Sequence, residues 1–296
     1  MLRLLACLLL PAGAAQARTL EVGATMAFKT PSAAAAMAKD GDRIAIHPGT
    51  YFDCAVWTAN HLIVAGIGNP DTIVIADKSC QGKALFVIAG DNITVENLTL
   101  ANAKVPDGNG AGIRAEGRNL TVTNVRFMDN QNGILTGATG GTITIRDSLF
   151  DRNGTCEKAC AHGIYIGAVD LLRIENTRFT GTKQGHHIKS RALRTEVTNC
   201  TIEDGPVGTA SYSIDIPNGG AVMIRGNTFQ KGPKSENHGA MIAIGEEGVT
   251  HPTPDIVIED NMARNDGPWH TDFVRNRTAT PALLRGNRLS GAIRAP

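Results

Sequence analysis

The chain has 296 residues, of which 42% are hydrophobic, 19% charged and only 4% aromatic, enough apolar content for a sizeable core and too much for a disordered chain. Lys and Arg number 29 against 28 Asp and Glu, so there is no basic excess to hold a nucleic acid. Beyond the N-terminal stretch no apolar run approaches the ~18 residues of a membrane helix, which excludes membrane insertion as well.

Met1-Leu-Arg3, the apolar stretch Leu4 to Leu10 and the small-residue pattern Ala15-Gln16-Ala17 have the three parts of an export signal. The expectation is a signal peptide over 1–17 cut after Ala17, a mature domain over 18–296, and a periplasmic or secreted location. Five cysteines remain in that domain, Cys54, Cys80, Cys156, Cys160 and Cys200, an odd set that leaves one thiol free in an oxidising compartment. Cys54 and Cys80 lie about one repeat apart, and Cys156 and Cys160 flank a short loop segment, so both pairs are able to close. Cys200, inside a strand pattern, is then the buried free thiol. A metal site built from Cys156, Cys160 and His162 is the weaker alternative.

Thr30-Pro31-Ser32 followed by Ala33 to Lys39 reads as a capped helix with proline in its first turn. From residue 92 the chain repeats itself. Asn92-Ile-Thr-Val-Glu-Asn-Leu-Thr-Leu100 returns as Asn119-Leu-Thr-Val-Thr-Asn-Val-Arg-Phe127, then as versions ending at Phe150, Phe179, Ile202 and Phe229, with degenerate copies near Ala263 and Leu289. Each copy alternates with period two, so it is strand, and the Asn, Asp or Gly before its last strand is turn chemistry. A further strand precedes each copy: Gly112-Ile-Arg, Gly133-Ile-Leu, Gly163-Ile-Tyr-Ile, His187-Ile-Lys-Ser, Ser213-Ile-Asp-Ile and Met241-Ile-Ala-Ile. Three short strands per ~25-residue turn, with no helices between them, describe an all-β parallel solenoid whose turns stack at ~4.8 Å. N-x-[ST] sequons such as those at Asn92, Asn119 and Asn199 are accounted for by the same turn-then-strand pattern.

The series Asn97, Asn124, Asp147, Asn176 and Asn199, together with Gly41-Asp42-Arg43-Ile44 through Pro48-Gly49-Thr50-Tyr51, resembles the asparagine ladder and first-turn entry of the right-handed parallel β-helix proteins of the pectate lyase-like superfamily. The resemblance covers roughly residues 30 to 290. It implies one right-handed parallel β-helix domain, with a short N-terminal helical cap within 18–40 and the last turn and tail over 264–296. Such folds host lyases, hydrolases, epimerases and adhesins, so the activity has to be read from the site.

In this fold the longer loops precede the first strand of each turn and wall a groove along its outer face. With Ile113, Ile134, Ile164, Ile188, Ile214 and Ile242 pointing inward, the next positions point outward and read Arg114, Leu135, Tyr165, Lys189, Asp215 and Ala243. Tyr165, Lys189 and Asp215 become neighbours on successive turns. His187 and Arg191 are expected on the same face as Lys189, and His162 and His186, each two residues before its inward Ile, are expected to stack at the groove edge. Outward solenoid positions are ordinarily wet and polar, and a plain Lys189–Asp215 surface ion pair is the bland reading. The concentration of His, Tyr, Lys, Arg and Asp on three central turns instead suits proton transfer on an anionic substrate.

β-Elimination in a uronate polysaccharide needs a neutralised carboxylate, a base for the adjacent proton and an acid for the leaving glycosidic oxygen. The expected assignment makes Lys189 the base, oriented by Asp215, and Tyr165 the acid or a partner of His187 in proton traffic. Arg191 and Arg114 pair with the substrate carboxylate, with His162, His186 and Glu246 completing the binding groove. The resemblance implies the same chemistry, since several β-helix lyases remove that proton with a basic side chain. The sheet offers only Asp215, with Glu116, Glu246 and Glu247 farther along, so calcium is not supported and no other cofactor is expected. Hydrolysis would need two carboxyl groups, Asp215 with Glu246 or Glu247, but the chain has no Asp-Asp pair. Epimerisation shares the proton-removal step, though Asp215-Ile-Pro217-Asn218 lacks the Asp-Pro-His-Asp pattern. A non-catalytic polysaccharide-binding protein is the alternative from another class. Trp57 and Trp269 are as well suited to packing as to sugar stacking, and the adjacent pair His186-His187 points to opposite faces of a strand, which disfavours a shared metal.

Overall fold

The computed structural model describes residues 17–295, so the expected export signal, apart from Ala17, lies outside the described residues. Three sheets of 11, 10 and 10 strands run the length of the molecule, and every strand pair within them is parallel, each strand bonding to its equivalents one turn before and after. This is the three-strand solenoid that the repeat predicts. The sheet that begins each turn carries strands Ala111–Ala115, Asn132–Thr136, Ile164–Ile166, Ile188–Ser190, Ile214–Ile216, Ala240–Ile244 and Thr271–Asn276. No helix among the described residues is long and apolar enough to cross a membrane. The helix expected over 33–39 is a single short one, Pro31–Ala35, whose Ser32 N–H donates to Asp53 and whose Ala33 N–H donates to the Thr30 hydroxyl.

The period-two alternation explains the core. Along Leu120–Thr123 and Leu171–Glu175 every second residue is buried, and these inward residues of all three sheets meet in one continuous apolar cluster. The last apolar position of each repeat is stacked on its neighbour: the Phe127 and Phe150 rings are parallel at 4.5 Å, and Phe150 and Phe179 at 4.6 Å. Offset stacking adds ~1 kcal/mol per pair to what burial alone contributes, so each turn registers the next. Trp57 lies fully buried with its ring edge-on to Phe86, which makes it a packing residue rather than a sugar platform.

The corner between the second and third strands needs a left-handed residue, and Asn97, Asn124, Asp147, Asn176 and Asn199 all take it, with φ between 49° and 60°. Asn and Asp tolerate this region because their short side chains bond locally. The ladder the sequence suggests is only partly here, in the 2.7 Å bond from Asn124 to Asn97. Buried amide ladders form elsewhere, from Asn130 to Asn153 at 3.1 Å and from Asn227 through Asn261 to Asn287 at 3.0 and 2.9 Å. Cys54–Cys80 and Cys156–Cys160 are disulfides, which withdraws the latter pair from any metal site. Cys200 is free and buried, and burial pushes its thiol up to about 12, so it is inert at neutral pH.

Candidate functional site

Inward Ile164, Ile188 and Ile214 are completely buried, which fixes the pleat of their strands and turns the next residues outward. Tyr165 is therefore paired in register with Lys189, and Lys189 with Asp215. The three do not sit as a wet surface. Lys189 and Asp215 are only 6% and 2% exposed, sunk beneath the loops that precede and follow their strands. Lys189 Nζ donates to Asp215 Oδ2 at 2.7 Å and to Glu247 Oε1 at 2.6 Å. Arg191, just past the end of the Lys189 strand, donates through Nε to the Tyr165 phenol oxygen at 2.8 Å and through its two terminal nitrogens to Asn218 and Glu247. Asp215 Oδ1 is buried with no hydrogen-bond partner, and desolvation, opposed in part by Lys189, raises its carboxyl above the usual range.

A second line of rings borders this cluster. His162 and His186 stack at 4.9 Å, and His186 stacks on Tyr212 at 5.2 Å. The His186 backbone N–H donates to His162 Nδ1 at 3.0 Å, and the Tyr212 N–H to His186 Nδ1 at 3.1 Å. An Nδ1 that accepts from a backbone amide leaves the proton on Nε2, so both neutral rings are donors there and neither has a free lone pair to act as base. His186 Nε2 faces Asp215 Oδ2 at 3.4 Å. Gly185 (φ +73°) lets the loop pass this close, since a Cβ there would lie 2.7 Å from His162 Nδ1 and 2.3 Å from the Ala161 carbonyl oxygen.

Burial, and then the Lys189 ammonium, lower the His162 pKa to about 3. In the unfolded chain the same imidazole titrates near ~6.5. The unfolded state therefore binds the proton first as pH falls, and the stability His162 contributes is complete above ~6.5 and drains away down to ~3. The melting temperature is expected to drop between about pH 7 and about pH 4, and to drop less in His162→Gln, which keeps an acceptor for the His186 amide. Equal slopes in the two proteins would show that His162 does not set this response.

Two expected placements, those of His187 and Glu246, are corrected. His187 does not share the face of Lys189; it is wholly buried, with Nδ1 2.8 Å from Thr182 Oγ1 and Nε2 2.9 Å from Asp204 Oδ1. The alternation holds only inside a strand, and this strand begins at Ile188, so His187 belongs to the corner and turns away. Arg114 keeps its expected place, outward and two strands from Tyr165, about 10 Å at the ordinary strand spacing, and faces Glu116 at 3.7 Å. Glu246 points away from Lys189 toward Arg277 and Arg275, at 3.4 and 3.9 Å. Tyr212, Asn218 and Glu247 join the site in their place. Tyr212 stands two residues before inward Ile214, as His162 and His186 do before theirs, so the same rule reaches it; Glu247 arrives from a loop and carries no periodic signal. His251 closes the wall, its Nε2 3.1 Å from the Arg191 carbonyl oxygen, and Trp269 is stacked against His238 at 3.6 Å rather than presented to the groove. The two carboxylates of the cluster are committed to Lys189 and Arg191, a poor fit to the roughly six to eight oxygens calcium requires.

The family model described as right handed beta helix region matches residues 73–229 and 132–291. No curated protein matches the chain. Among solved structures, an alginate lyase from Paenibacillus sp. str. FPU-7 superposes with a TM-score of 0.64 at 17% identity, over 93% of this chain and 99% of that one. The Escherichia coli protein ybhc superposes with a TM-score of 0.55 at 16% identity, over 97% of this chain and 88% of that one. The pectin methylesterase PemA from Erwinia chrysanthemi gives 0.46 at 12% identity, over 93% and 92%. At these identities the likeness is one of fold.

Proposed function

The chain belongs to the right-handed β-helix family, and we propose that it is an exported enzyme that cleaves an acidic, uronate-containing polysaccharide by β-elimination in the groove around Lys189. The observation that carries this reading is the meeting of two bonded pairs, Lys189 with Asp215 and Arg191 with Tyr165, which the Glu247 carboxylate links into one cluster. Those four side chains match the needs of elimination. Arg191 takes the substrate carboxylate and so spreads the negative charge that develops beside it. Lys189 acts as the free amine once its proton has passed along the 2.7 Å bond to Asp215, and it removes the proton from the carbon next to the carboxylate. The electron pair left behind forms the new carbon–carbon double bond as the glycosidic carbon–oxygen bond breaks, and the departing oxygen takes the Tyr165 phenol proton. Arg191 Nε, 2.8 Å from that oxygen, stands ready to stabilise the phenolate. The fold shared with an alginate lyase supports the lyase reading, and two disulfides fit an oxidising compartment outside the cytoplasm.

One observation favours hydrolysis as a second reading. Asp215 Oδ2 and Glu247 Oε1 lie 2.7 and 2.6 Å from the same Nζ, which brings two carboxyl groups together as a retaining glycosidase, with its ~5 Å spacing, requires. The test is a panel of pectin-, alginate- and exopolysaccharide-type uronate polymers incubated with the mature protein, with and without calcium, and followed by ultraviolet absorbance. A rise from unsaturated uronate ends is the expected result. New reducing ends with no such absorbance would replace elimination by hydrolysis.

A further inference from the structure

We propose that Glu247 is an internal stand-in for the substrate, its carboxylate held where a uronate carboxylate binds, and that an acidic sugar enters by displacing it. The inference rests on the reading of this groove as a uronate site and adds how the site admits its ligand. Glu247 lies 58 residues from Lys189 and 56 from Arg191, on a different turn of the solenoid, yet its two oxygens are divided between their cationic groups. Its side chain is 47% exposed, against 8% for Lys189 and 25% for Arg191, so it is the outermost member and the one a ligand meets first.

The cations do not depend on Glu247 for their positions. Lys189 is held from below by Asp215, and Arg191 by Tyr165 and Asn218, so the carboxylate pocket persists when Glu247 swings out. The Glu247 backbone is fixed separately, its N–H donating to the Pro217 carbonyl at 3.1 Å, between Gly245 and Gly248, both left-handed at φ +81° and +97°. Displacement therefore needs only side-chain rotation. Burial alone would raise the Glu247 carboxyl, but hydrogen bonds from Lys189 and Arg191 outweigh it and keep the group ionised.

Charge gives the arrangement its selectivity. Two cations and two carboxylates balance within the cluster, and a uronate that replaces Glu247 restores the balance one for one. A neutral sugar offers nothing in exchange, and displacing Glu247 would leave Arg191 with no carboxylate partner and Lys189 with Asp215 alone. A tethered carboxylate competes like a ligand at ~mM concentration, a handicap every acidic substrate has to overcome.

Methyl glycosides of galacturonate, mannuronate and guluronate, with methyl galactoside and methyl mannoside as neutral controls, provide the test. They contain no cleavable interglycosidic bond, and the Arg191 Nε–H resonance reports binding directly by nuclear magnetic resonance. Glu247→Gln and Glu247→Ala are expected to bind an acidic glycoside about tenfold more tightly than wild type, with no gain for the neutral ones. The isosteric Gln variant, checked by its melting curve, guards against misfolding of the Ala variant. Acidic glycosides that shift Arg191 in wild type but bind the variants no better, or a gain shared equally by neutral sugars, would overturn the role of Glu247 while leaving the uronate site standing. If no acidic glycoside shifts Arg191 in any of the three proteins, the uronate site itself is wrong and this inference falls with it.

Discussion

Replacing Lys189 with alanine is expected to lower turnover by about 10²-fold or more on whichever uronate polymer the protein cleaves. The expectation follows from isolation. Both histidines on the groove commit Nδ1 to a backbone amide, and Arg191 stays protonated at any working pH. Asp215 lies behind the lysine, whose Nζ reaches the half-exposed Glu247 at 2.6 Å, so Lys189 is the amine set between the buried carboxylate and the groove. The structural cost of the change is a separate matter. Removing one partner of a buried pair costs ~3–5 kcal/mol when the other stays charged. Asp215, already raised by burial, escapes much of that cost by taking a proton. Lys189→Met fills the same volume with no amine and separates lost packing from lost chemistry. The rate of unsaturated-uronate formation and the melting curve of each variant are the measurements. A folded Lys189→Met protein that retains a rate within about threefold of wild type would remove Lys189 as the base.

The residues that carry this prediction were legible in the sequence because they lie inside strands. Once Ile164, Ile188 and Ile214 are read as inward, the pleat leaves no freedom for Tyr165, Lys189 and Asp215, and the register places them side by side. The same rule fails one residue earlier. His187 precedes the first residue of its strand, where the loop through Gly185 enters at a corner, and corner geometry depends on contacts with Thr182 and Asp204 that have no period. Glu247 is the extreme case, since a loop side chain spanning two turns is fixed by the stacking of those turns and not by its neighbours in sequence. Arg114 points outward two strands from Tyr165, where the register of inward Ile113, Ile134 and Ile164 puts it. The asparagines show a third kind of limit. Their left-handed backbone was readable from residue type, whereas which amides lie inside the corner, as Asn227 and Asn261 do, depends on a shift of one residue in the turn.

Tyr165→Phe is expected to reduce turnover by a similar factor, about 10²-fold, while leaving the Michaelis constant within a fewfold of wild type. The change deletes one oxygen from a ring that packs edge-on to His162 at 5.4 Å and lies 5.6 and 5.9 Å from the Arg191 and Lys189 charges, so the ring's packing survives. Two roles of the oxygen then separate. As an acid it gives its proton to the leaving oxygen, an interaction made only as the bond breaks, and its loss lowers turnover without weakening the bound state. As a strut it accepts from Arg191 Nε at 2.8 Å, and its loss would loosen the guanidinium that takes the carboxylate. Asn218 still holds the far end of Arg191 in the variant, so the binding defect should be small. A fall in turnover with affinity for an acidic methyl glycoside preserved identifies the acid. A Michaelis constant that rises about tenfold at unchanged turnover would instead make Tyr165 a positioning residue for Arg191, and the proton for the leaving oxygen would have to come from another group at the groove edge, with Tyr212 the next phenol in line.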